Sequence, residues 1–415
     1  MKTTNVWDVI VIGGGPAGMM AAATAASRGK RVLLLEKNPS LGKKLLITGG
    51  GRCNVTNDKP DIRAMQAQYK GAGKFLFSLF AQHGVRETIE WFESRGIALK
   101  EENEGRLFPA TNSAKTIFDT LLTEVKKQGV TVRTKAEVCT IIYDSAEAKF
   151  DIVLSDKTRL EGKSCVVASG GTSRPETGAT GDGYLWLKKL GHAIVPNNFA
   201  LVPLTLKNTW TKKLSGITLT NIKLTIFTDG KKHSVHEGKI LFTHVGVTGP
   251  TVLNMSKAVG ELLAHSEVTL KLDLFPKMDA GEFKTFLRQK LAANSNKKIK
   301  NVLGDIIPTA LASSVLSELC IIDDTQCHSV TTEERVRLAL FLKAVPLSVK
   351  GLLGEDKAVV SSGGVPLTEI SFKTMESKIV PNLYIIGDLL NIDRPSGGYS
   401  LQLCWSTGFV AGSNA

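Results

Sequence analysis

Hydrophobic and polar positions at the start of the chain predict an α/β fold. Residues 6–12 (VWDVIVI) form a short apolar run, which is typical of a buried parallel strand. An alanine-rich segment from Pro16 to Ser27 follows, where we expect a helix, and a second apolar run over 31–35 predicts the next strand. The order strand, helix, strand is that of a βαβ unit, so we expect a parallel sheet here.

The middle of the chain has a different pattern. β-branched and polar residues alternate after about residue 199, with Asp229-Gly230 as a hairpin turn, and this alternation predicts a mainly β module. Helix-spaced apolar residues follow and predict a small helical subdomain. The expected parts are a discontinuous dinucleotide-binding domain (1–198 and 346–415), an inserted β-rich substrate domain (199–275, with a return near 330–350) and a helical subdomain (276–345).

The turn between the first strand and the first helix carries the pattern G-x-G-x-x-G. Gly13 permits the tight turn, Gly15 lets the backbone approach a pyrophosphate, and Gly18 lets the helix pack closely on the strand. Pro16 and Ala17 begin the helix, whose free N–H groups and positive dipole end favour phosphate. This context predicts an adenine dinucleotide site.

Glu36 ends the second strand, where a carboxylate accepts hydrogen bonds from ribose hydroxyls. Lys37 follows it and is a further cofactor-binding candidate. These features fit FAD and NAD equally well.

The next loop, ITGGGRCNVTN over residues 47–57, discriminates between classes of flavoenzyme. A redox disulfide of the glutathione-reductase type needs a second cysteine five positions after Cys53, and that position holds Asp58. Gly50 and Gly51 instead fit a backbone held close to a flat ring, with Arg52 available for phosphate or for the flavin edge. Two interpretations of Cys53 stay open, a packed apolar thiol and a reactive thiolate assisted by Arg52.

Together with Glu36-Lys37-Asn38, this loop resembles the BaiN/YhiN-like flavoproteins, which include aminoacetone oxidases and a proposed bile-acid enone reductase. They belong to the two-dinucleotide-binding flavoprotein superfamily. Further landmarks of the family occur in the same order at GRLFPAT (105–111), ILFTHVGVTGP (240–250), SSGGV (361–365), KTMESK (373–378) and GDLLNIDRPSGGYSLQLCWSTGFVAG (387–412). The resemblance implies FAD as the cofactor and hydride transfer as the chemistry. It also implies that Val138 meets the adenine and that Ala168 and Gly170 belong to a second dinucleotide fingerprint.

The C-terminal segment agrees with a flavin site. A strand over 382–386 leads into Gly387-Asp388, which puts a carboxylate at a strand end, suited to the ribityl hydroxyls of a flavin. Members of the family commonly have glutamate at this position. A helix is expected to begin near Leu401, and its N-terminus can stabilise an anionic reduced flavin. The cofactor-binding candidates around this helix start are Gly398, Tyr399, Ser400, Leu401 and Gln402.

Two residues are candidates for chemistry beyond the flavin. His244 lies in one of the family landmarks and can exchange a proton near neutral pH. Cys53 is the second. No metal site is expected, because His233, His236 and Glu237 follow a hairpin turn rather than share a helix.

The formal net charge of +13 bears on partners and suits anionic ligands. The basic residues come mostly as isolated pairs such as Lys43-Lys44, so we interpret them as solvated surface and do not expect a nucleic-acid partner. No segment approaches the roughly 18 to 20 apolar residues of a membrane helix. Six cysteines without a C-x-x-C pair and the lack of a signal-peptide layout indicate a cytoplasmic protein.

The sequence thus predicts an FAD-dependent oxidoreductase with a small-molecule substrate and no membrane partner. NAD(P)H-dependent reduction of an unsaturated carbonyl compound is favoured. Because no second G-x-G-x-x-G unit is present, we expect NAD(P)H to bind only transiently at the flavin. The alternatives are oxidation of a small primary amine, and a nucleic-acid-modifying or redox-sensing flavoprotein. The sequence does not indicate an oligomeric state.

Overall fold

A computed structural model describes residues 6–59, 61–69, 71–196, 199–353, 360–361 and 363–415. The chain forms two compact units, Met1–Phe199 with Ala358–Ala415, and Ala200–Lys357. We call the first the Rossmann unit and the second the barrel unit. The expected boundary at 198 and Ser362 of the SSGGV segment lie outside the described residues.

In chain order the strands are β1 (Trp7–Ile12), β2 (Val32–Leu35), β3 (Thr56–Asn57), β4 (Leu99–Glu102), β5 (Arg106–Pro109), β6 (Thr131–Arg133), β7 (Val138–Asp144), β8 (Lys149–Leu154), β9 (Arg159–Val167), β10 (Phe199–Ala200), β11 (Leu204–Leu206), β12 (Thr218–Thr228), β13 (Lys231–Thr243), β14 (Gly246–Thr248), β15 (Val268–Asp273), β16 (Val345–Leu352), β17 (Val360–Ser361) and β18 (Leu383–Ile385). The α-helices are α1 (Pro16–Ser27), α2 (Lys43–Ile47), α3 (Ile62–Gln66), α4 (Gly73–Gln82), α5 (Val85–Glu93), α6 (Ala114–Lys127), α7 (Asp182–Lys189), α8 (Pro250–Leu263), α9 (Ala280–Ala292), α10 (Ile299–Gly304), α11 (Thr309–Glu318), α12 (Thr332–Lys343) and α13 (Tyr399–Asn414).

The Rossmann unit is built on a seven-stranded sheet in the order β6-β2-β1-β9-β8-β7, with β18 also paired to β9. Strands β6, β2, β1, β9 and β18 run parallel, whereas β8 pairs antiparallel with β7 and β9. Strand β2 and residues 9–12 of β1 are fully buried, which explains their uninterrupted apolar sequence. The βαβ unit expected at the N-terminus is therefore present, and it places the glycine turn at the carboxyl end of β1.

Helix α13 joins the C-terminal segment to the first part of the chain. It packs along α1, and its Trp405 donates a hydrogen bond from Nε1 to the carbonyl of Val55, at 2.9 Å. The ring of Trp405 also meets that of Phe92 edge to face, with centroids 5.4 Å apart. Two small sheets complete the strand pairing, β3-β5-β4 and β10-β17. Residues before Phe199 and residues after Ala358 thus share one hydrophobic core.

The barrel unit is a closed six-stranded barrel in the order β11-β14-β13-β12-β15-β16. Its strands alternate buried and solvent-facing residues, as in β12, because one face of each strand points into the barrel. Helices α9 to α12 follow β15 and share its core through residues such as Phe283 and Leu338. An α/β fold with a Rossmann-like unit and an inserted β-rich unit is confirmed.

Two details of the barrel unit differ from the sequence expectation. Helix α8 lies within 199–275, where a mainly β module but no particular helix was expected, and its buried Val252, Met255 and Val259 have the helical spacing that the β-branched surroundings obscured. The expected start of the last segment at 346 falls inside β16. That strand completes the barrel by pairing with β15 and β11.

Candidate active site

A cleft of about 950 Å³, counting the solvent space at its mouth, lies in the Rossmann unit at the carboxyl ends of the parallel strands. Its walls come from four segments that are far apart in the sequence: the glycine turn, the stretch from Glu36 to Thr48, the loops after β9, and the C-terminal block. Sequence candidates that line it are Gly13, Gly15, Pro16, Ala17, Glu36, Ala168, Gly170, Gly387, Asp388, Ser400 and Leu401. Such a crevice at strand ends is where α/β folds bind their ligands.

The glycine turn fits a dinucleotide for reasons of space. A Cβ on Gly18 would lie 1.9 Å from the carbonyl oxygen of Gly13, so the first helical turn can pack here only without a side chain. Gly13 has φ +111°, and a Cβ there would lie 2.4 Å from the carbonyl oxygen of Ala168. Nothing lies within 4 Å of a Cβ placed on Gly15, which lines the cleft. The backbone at Gly15 is therefore open to a phosphate at the N-terminus of α1.

Glu36, at the end of β2, is hydrogen-bonded to the glycine turn. One carboxylate oxygen accepts from the backbone N–H of Gly14 at 2.9 Å, and the other accepts from the backbone N–H of Asn38 at 2.8 Å. Its side chain lines both the large cleft and a second cavity of about 380 Å³. Carboxylate oxygens accept more than one hydrogen bond each, so Glu36 retains capacity for ribose hydroxyls.

Two further residues predicted from the sequence to bind the cofactor line the smaller cavity. Val138, at the start of β7, and Lys37 both line it. Lys37 donates to a carboxylate oxygen of Asp182 at 2.7 Å. Ser169 lies at the junction of the two cavities, and its buried Oγ has no hydrogen-bond partner in the described part of the chain. A buried hydroxyl without a partner at this junction fits a bound polar ligand.

A cluster of three charged residues, Lys44, Asp388 and Arg394, lies where the C-terminal block forms the wall of the cleft. Asp388 pairs with Lys44, at 3.1 Å from Oδ2 to Nζ, and with the guanidinium of Arg394. Burial pushes the pKa of Asp388 upward, but the charges of Arg394 and Lys44 outweigh that effect and hold the pKa below its ordinary value. Asp388 is therefore ionised at neutral pH. A carboxylate of this kind is suited to the ribityl hydroxyls of a flavin.

Helix α13 begins at this wall. Gly398 adopts φ +99° as its N-cap, with a would-be Cβ 2.4 Å from the backbone of Thr56, so a side chain has no room there. Ser400 and Leu401 in the first turn line the cleft. Tyr399 is buried, with its carbonyl accepting from Tyr69 at 2.8 Å. The positive end of the helix dipole thus faces the cleft.

Gln402 points away from the cleft. Its amide oxygen accepts from Thr56 at 2.6 Å, and its amide nitrogen donates to Thr88 and Ser406, each at 2.9 Å. All its contacts are therefore within the protein core.

The glycine-rich loop after α2 lies outside the walls of the cleft except for Thr48. Gly50 and Gly51 are exposed on a tight turn. Arg52 forms an ion pair with Glu102 and lies over the ring of Phe108, 4.3 Å from its centroid. Cys53 is fully buried, and burial raises the pKa of its thiol to about 12, against a smaller opposing contribution from Thr48. These surroundings favour the packed thiol over the reactive thiolate.

His244 belongs to the barrel unit, where it is exposed in the turn between β13 and β14. His233 and His236 lie on β13, and no group of three or more His, Cys, Asp or Glu suited to a metal ion occurs among the described residues. Within the same residues, no helix combines the length and the apolar character needed to span a bilayer.

Several residues at or behind the wall of the cleft are not predicted from the sequence. The sequence indicates Lys44 only as one of several solvated lysine pairs and Asn38 only as part of a motif. It does not indicate Ser169, or Arg394 behind the wall. The available signal was position: Lys44 closely follows the acidic strand end, and Arg394 precedes the glycine pair of the α13 cap. Their partners lie far away in sequence, so spacing alone could not reveal them.

Comparison with known proteins identifies the family. Residues 7–414 match the family described as HI0933-like protein Rossmann domain. The chain belongs to this family. The resemblance drawn from the sequence motifs is thereby confirmed, and the protein is an FAD-dependent oxidoreductase.

Two relatives match over nearly their whole length. A ribosomal RNA dihydrouridine synthase of Escherichia coli is 32% identical over 406 residues, which is 97% of this chain and 96% of that protein. A 3-dehydro-bile acid delta(4,6)-reductase of Clostridium scindens is 29% identical over 408 residues, 98% of each chain. A 3-ketosteroid delta1-dehydrogenase from Sterolibacterium denitrificans shares the fold, with a TM-score of 0.55, 13% identity and 99% of each chain covered.

Proposed function

We propose that this protein uses FAD to reduce a carbon–carbon double bond conjugated to a carbonyl group. We further propose that NADH or NADPH supplies the electrons and that the substrate is a uracil ring in ribosomal RNA. The observation that carries this proposal is the near-full-length similarity to a ribosomal RNA dihydrouridine synthase. It departs from the expectation, drawn from the scattered lysines and arginines, that no nucleic acid is a partner.

The chemistry named for the two relatives is of one kind. Dihydrouridine is uridine whose C5–C6 double bond is reduced, and that bond is conjugated to the C4 carbonyl. The name of the bile-acid relative describes two double bonds, Δ4 and Δ6, conjugated to a 3-oxo group. In uridine the hydride is added to C6, the carbon β to the carbonyl, and a proton to C5; in the dienone the hydride is likewise added to a carbon that the carbonyl makes electron-poor through conjugation, and a proton completes the reduction. The net charge of +13 favours a polyanionic substrate over a bile acid.

The residues of the cleft support this chemistry by binding and charge. The N-terminus of α1 and the open backbone at Gly15 would hold the pyrophosphate of FAD, and Glu36 would hold a ribose. Bound FAD supplies hydride transfer at its N5 atom. Asp388 would hold the ribityl chain. The N-terminus of α13, which reaches the cleft at Ser400 and Leu401, would stabilise negative charge on the reduced flavin.

We propose His244 as the donor of the proton that accompanies the hydride, because imidazole can give a proton near neutral pH. Its replacement in His244→Asn should slow the step with the unsaturated substrate and leave reduction of the flavin by NADH at the wild-type rate. Equal rates of both steps in the variant and the wild type would assign the proton to another group.

The proposed function is tested in two anaerobic steps. First, the flavin absorption band is followed while NADH and then NADPH is added. Second, the reduced protein is mixed with a ribosomal RNA transcript, with free uridine, or with a 3-oxo-Δ4,6 bile acid, and the nucleosides are analysed by mass spectrometry. We expect rapid bleaching by a nicotinamide, recovery of the band with the transcript, and dihydrouridine in its digest.

Other outcomes contradict the proposal in distinct ways. Recovery of the band only with the bile acid would assign the steroid as the substrate. A flavin that resists both nicotinamides but is bleached by a primary amine such as aminoacetone would identify an oxidase. The expected binding of the transcript should weaken steeply with salt, because contacts to phosphates release counterions.

A further inference from the structure

Arg394 is a buried arginine to which the proposed function assigns no role. Its side chain is 0% exposed, and it does not line the cleft. Each of its three nitrogens has a partner: Nε donates to the Oγ of Ser400 at 3.0 Å, Nη1 to the carbonyl of Ile392 at 2.8 Å, and Nη2 to the carboxylate of Asp388. A guanidinium so fully engaged is rigid, because its planar fork is fixed at three points.

Two of these partners, Asp388 and Ser400, face the cleft. They belong to different elements, since Asp388 lies in the turn after β18 and Ser400 in the first turn of α13. Arg394 therefore links the strand end to the helix start from behind the wall. Its contacts restrict both the carboxylate and the hydroxyl that a cofactor in the cleft would meet.

Charge gives the cluster a second property. Lys44 and Arg394 both pair with Asp388, so two cations share one carboxylate. Lys44 also donates to the hydroxyl of Ser173 at 2.7 Å, which adds no charge. The cluster of Lys44, Arg394 and Asp388 has a net charge of +1. Arg394 is fully buried and Lys44 is 25% exposed, so this positive charge lies at the wall of the cleft and attracts an anionic group bound there.

We propose that Arg394 is a positioning residue for FAD. It holds Asp388 and Ser400 in place at the wall of the cleft, and it supplies the extra positive charge that favours the reduced, anionic form of the flavin. Reduction adds two electrons and one proton to the ring system and so leaves one additional negative charge. A fixed positive charge nearby binds that form more tightly than the oxidised form, which raises the reduction potential.

The test compares Arg394→Gln, which removes the charge, with Arg394→Lys, which keeps the charge but not the fork. Two quantities are measured on apoprotein reconstituted with FAD: the Kd for oxidised FAD by fluorescence quenching, and the midpoint potential against a reference dye during anaerobic titration with dithionite. Both variants should bind oxidised FAD about tenfold more weakly, because neither side chain can hold Asp388 and Ser400 in place at the wall together, as the guanidinium fork does.

Only Arg394→Gln should lower the potential. If it weakens binding of the reduced form about tenfold more than binding of the oxidised form, the shift is about 30 mV for this two-electron couple. Lys44→Met removes a charge from the same cluster and should lower the potential in the same direction, which keeps the proposal testable if Arg394→Gln does not fold. Arg86→Gln is the matched control, since its side chain is 85% exposed and pairs with Glu90 on α5.

The proposal is overturned if Arg394→Gln has the wild-type potential, or if Arg394→Lys lowers the potential as much as Arg394→Gln does. It is also overturned if both variants bind oxidised FAD with the wild-type Kd. These measurements need no substrate. Their outcome is therefore independent of whether the protein acts on uracil.

Discussion

The carboxylate of Glu36 is hydrogen-bonded to the backbone N–H of Gly14, at 2.9 Å between Oε2 and N. This contact joins the end of β2 to the glycine turn after β1, although the two residues are 22 positions apart. The same side chain faces both cavities of the site. Glu36 therefore shapes the phosphate-binding turn in addition to its expected role toward ribose.

Replacement of Glu36 should weaken FAD binding and also loosen the turn. Glu36→Ala leaves the buried N–H of Gly14 and the partly buried N–H of Asn38 without their acceptor, at a cost of about 1–3 kcal/mol in the free energy of unfolding. Glu36→Gln keeps one amide oxygen and should cost less. The Kd for FAD, measured by titration of the apoprotein, should rise at least about tenfold in Glu36→Ala.

The matched control for this prediction is Glu318→Ala, which removes an exposed carboxylate from the end of α11. It should leave both the melting temperature and the Kd unchanged. If Glu36→Ala binds FAD as tightly as Glu318→Ala, the adenosine end of the cofactor does not depend on this carboxylate.

Gly15 and Gly18 should fail in different ways when each is changed to alanine. Gly15 has an ordinary φ of −78° and open space around it, so Gly15→Ala should fold normally but place a methyl group where the phosphates lie. Gly18→Ala forces a Cβ to within 1.9 Å of the Gly13 oxygen and should destabilise the apoprotein by about 1–3 kcal/mol.

Thermal unfolding of the apoproteins, together with FAD titration, separates these two effects. Gly15→Ala should lose FAD affinity without loss of apoprotein stability, whereas Gly18→Ala should lose both. A stable Gly18→Ala apoprotein, or a Gly15→Ala protein with wild-type FAD affinity, would contradict the roles assigned to the turn.

The parts of the site that could be predicted from sequence are those determined by interactions within a short segment of the chain. The glycine turn, the acidic strand end at Glu36 and the start of α13 each combine a backbone requirement with a nearby apolar pattern, so a short segment contains the whole signal. Helix α8 was not predicted, because its apolar residues include β-branched ones such as Val252, which also suit a strand.

The parts that could not be predicted depend on long-range pairing of charges. Lys44 meets Asp388 across 344 positions, and no spacing in the sequence reveals such a partner. The guanidinium of Arg52 likewise pairs with Glu102 and lies over Phe108, and the loop sequence around Arg52 indicates neither partner. A lysine or arginine is expected at the protein surface unless it has a partner, and only the folded structure shows which of them lies in the wall of the cleft.

The six cysteines should divide into two reactive and four protected thiols. Cys139 and Cys320 are exposed, whereas Cys53, Cys165, Cys327 and Cys404 are buried. Burial raises the pKa of Cys404 to about 12, as it does for Cys53, so few thiolates form at pH 8. Alkylation of the native protein at pH 8, followed by peptide mapping, should therefore label Cys139 and Cys320 alone.

The control is the double variant Cys139→Ser with Cys320→Ser, which should take up no label until it is unfolded in guanidinium. Rapid labelling of Cys53 in the native protein would revive the reactive-thiolate interpretation. In addition, Cys53→Ser should leave the rate of flavin reduction by a nicotinamide unchanged, since a packing residue takes no part in hydride transfer.

His83 is a buried histidine at the end of α4, stacked on Phe409 with ring centroids 4.4 Å apart. Its Nε2 has no hydrogen-bond partner within the described ranges. Burial lowers the pKa of His83 from 6.5 to about 4, because nothing compensates the charged form for the loss of water. The folded protein therefore keeps this ring neutral over most of the acid range.

Acidification should destabilise the protein through His83. As the pH falls below 6.5, the unfolded chain binds a proton that the folded chain refuses until about pH 4, so stability is lost across this interval and no further below it. The loss amounts to about 3 kcal/mol. His83→Phe, which keeps the stack on Phe409, should remove that part of the acid sensitivity in urea unfolding at pH 7 and pH 4. The exposed control His265→Phe should not, and equal pH dependence in all three proteins would show that His83 is protonated without cost.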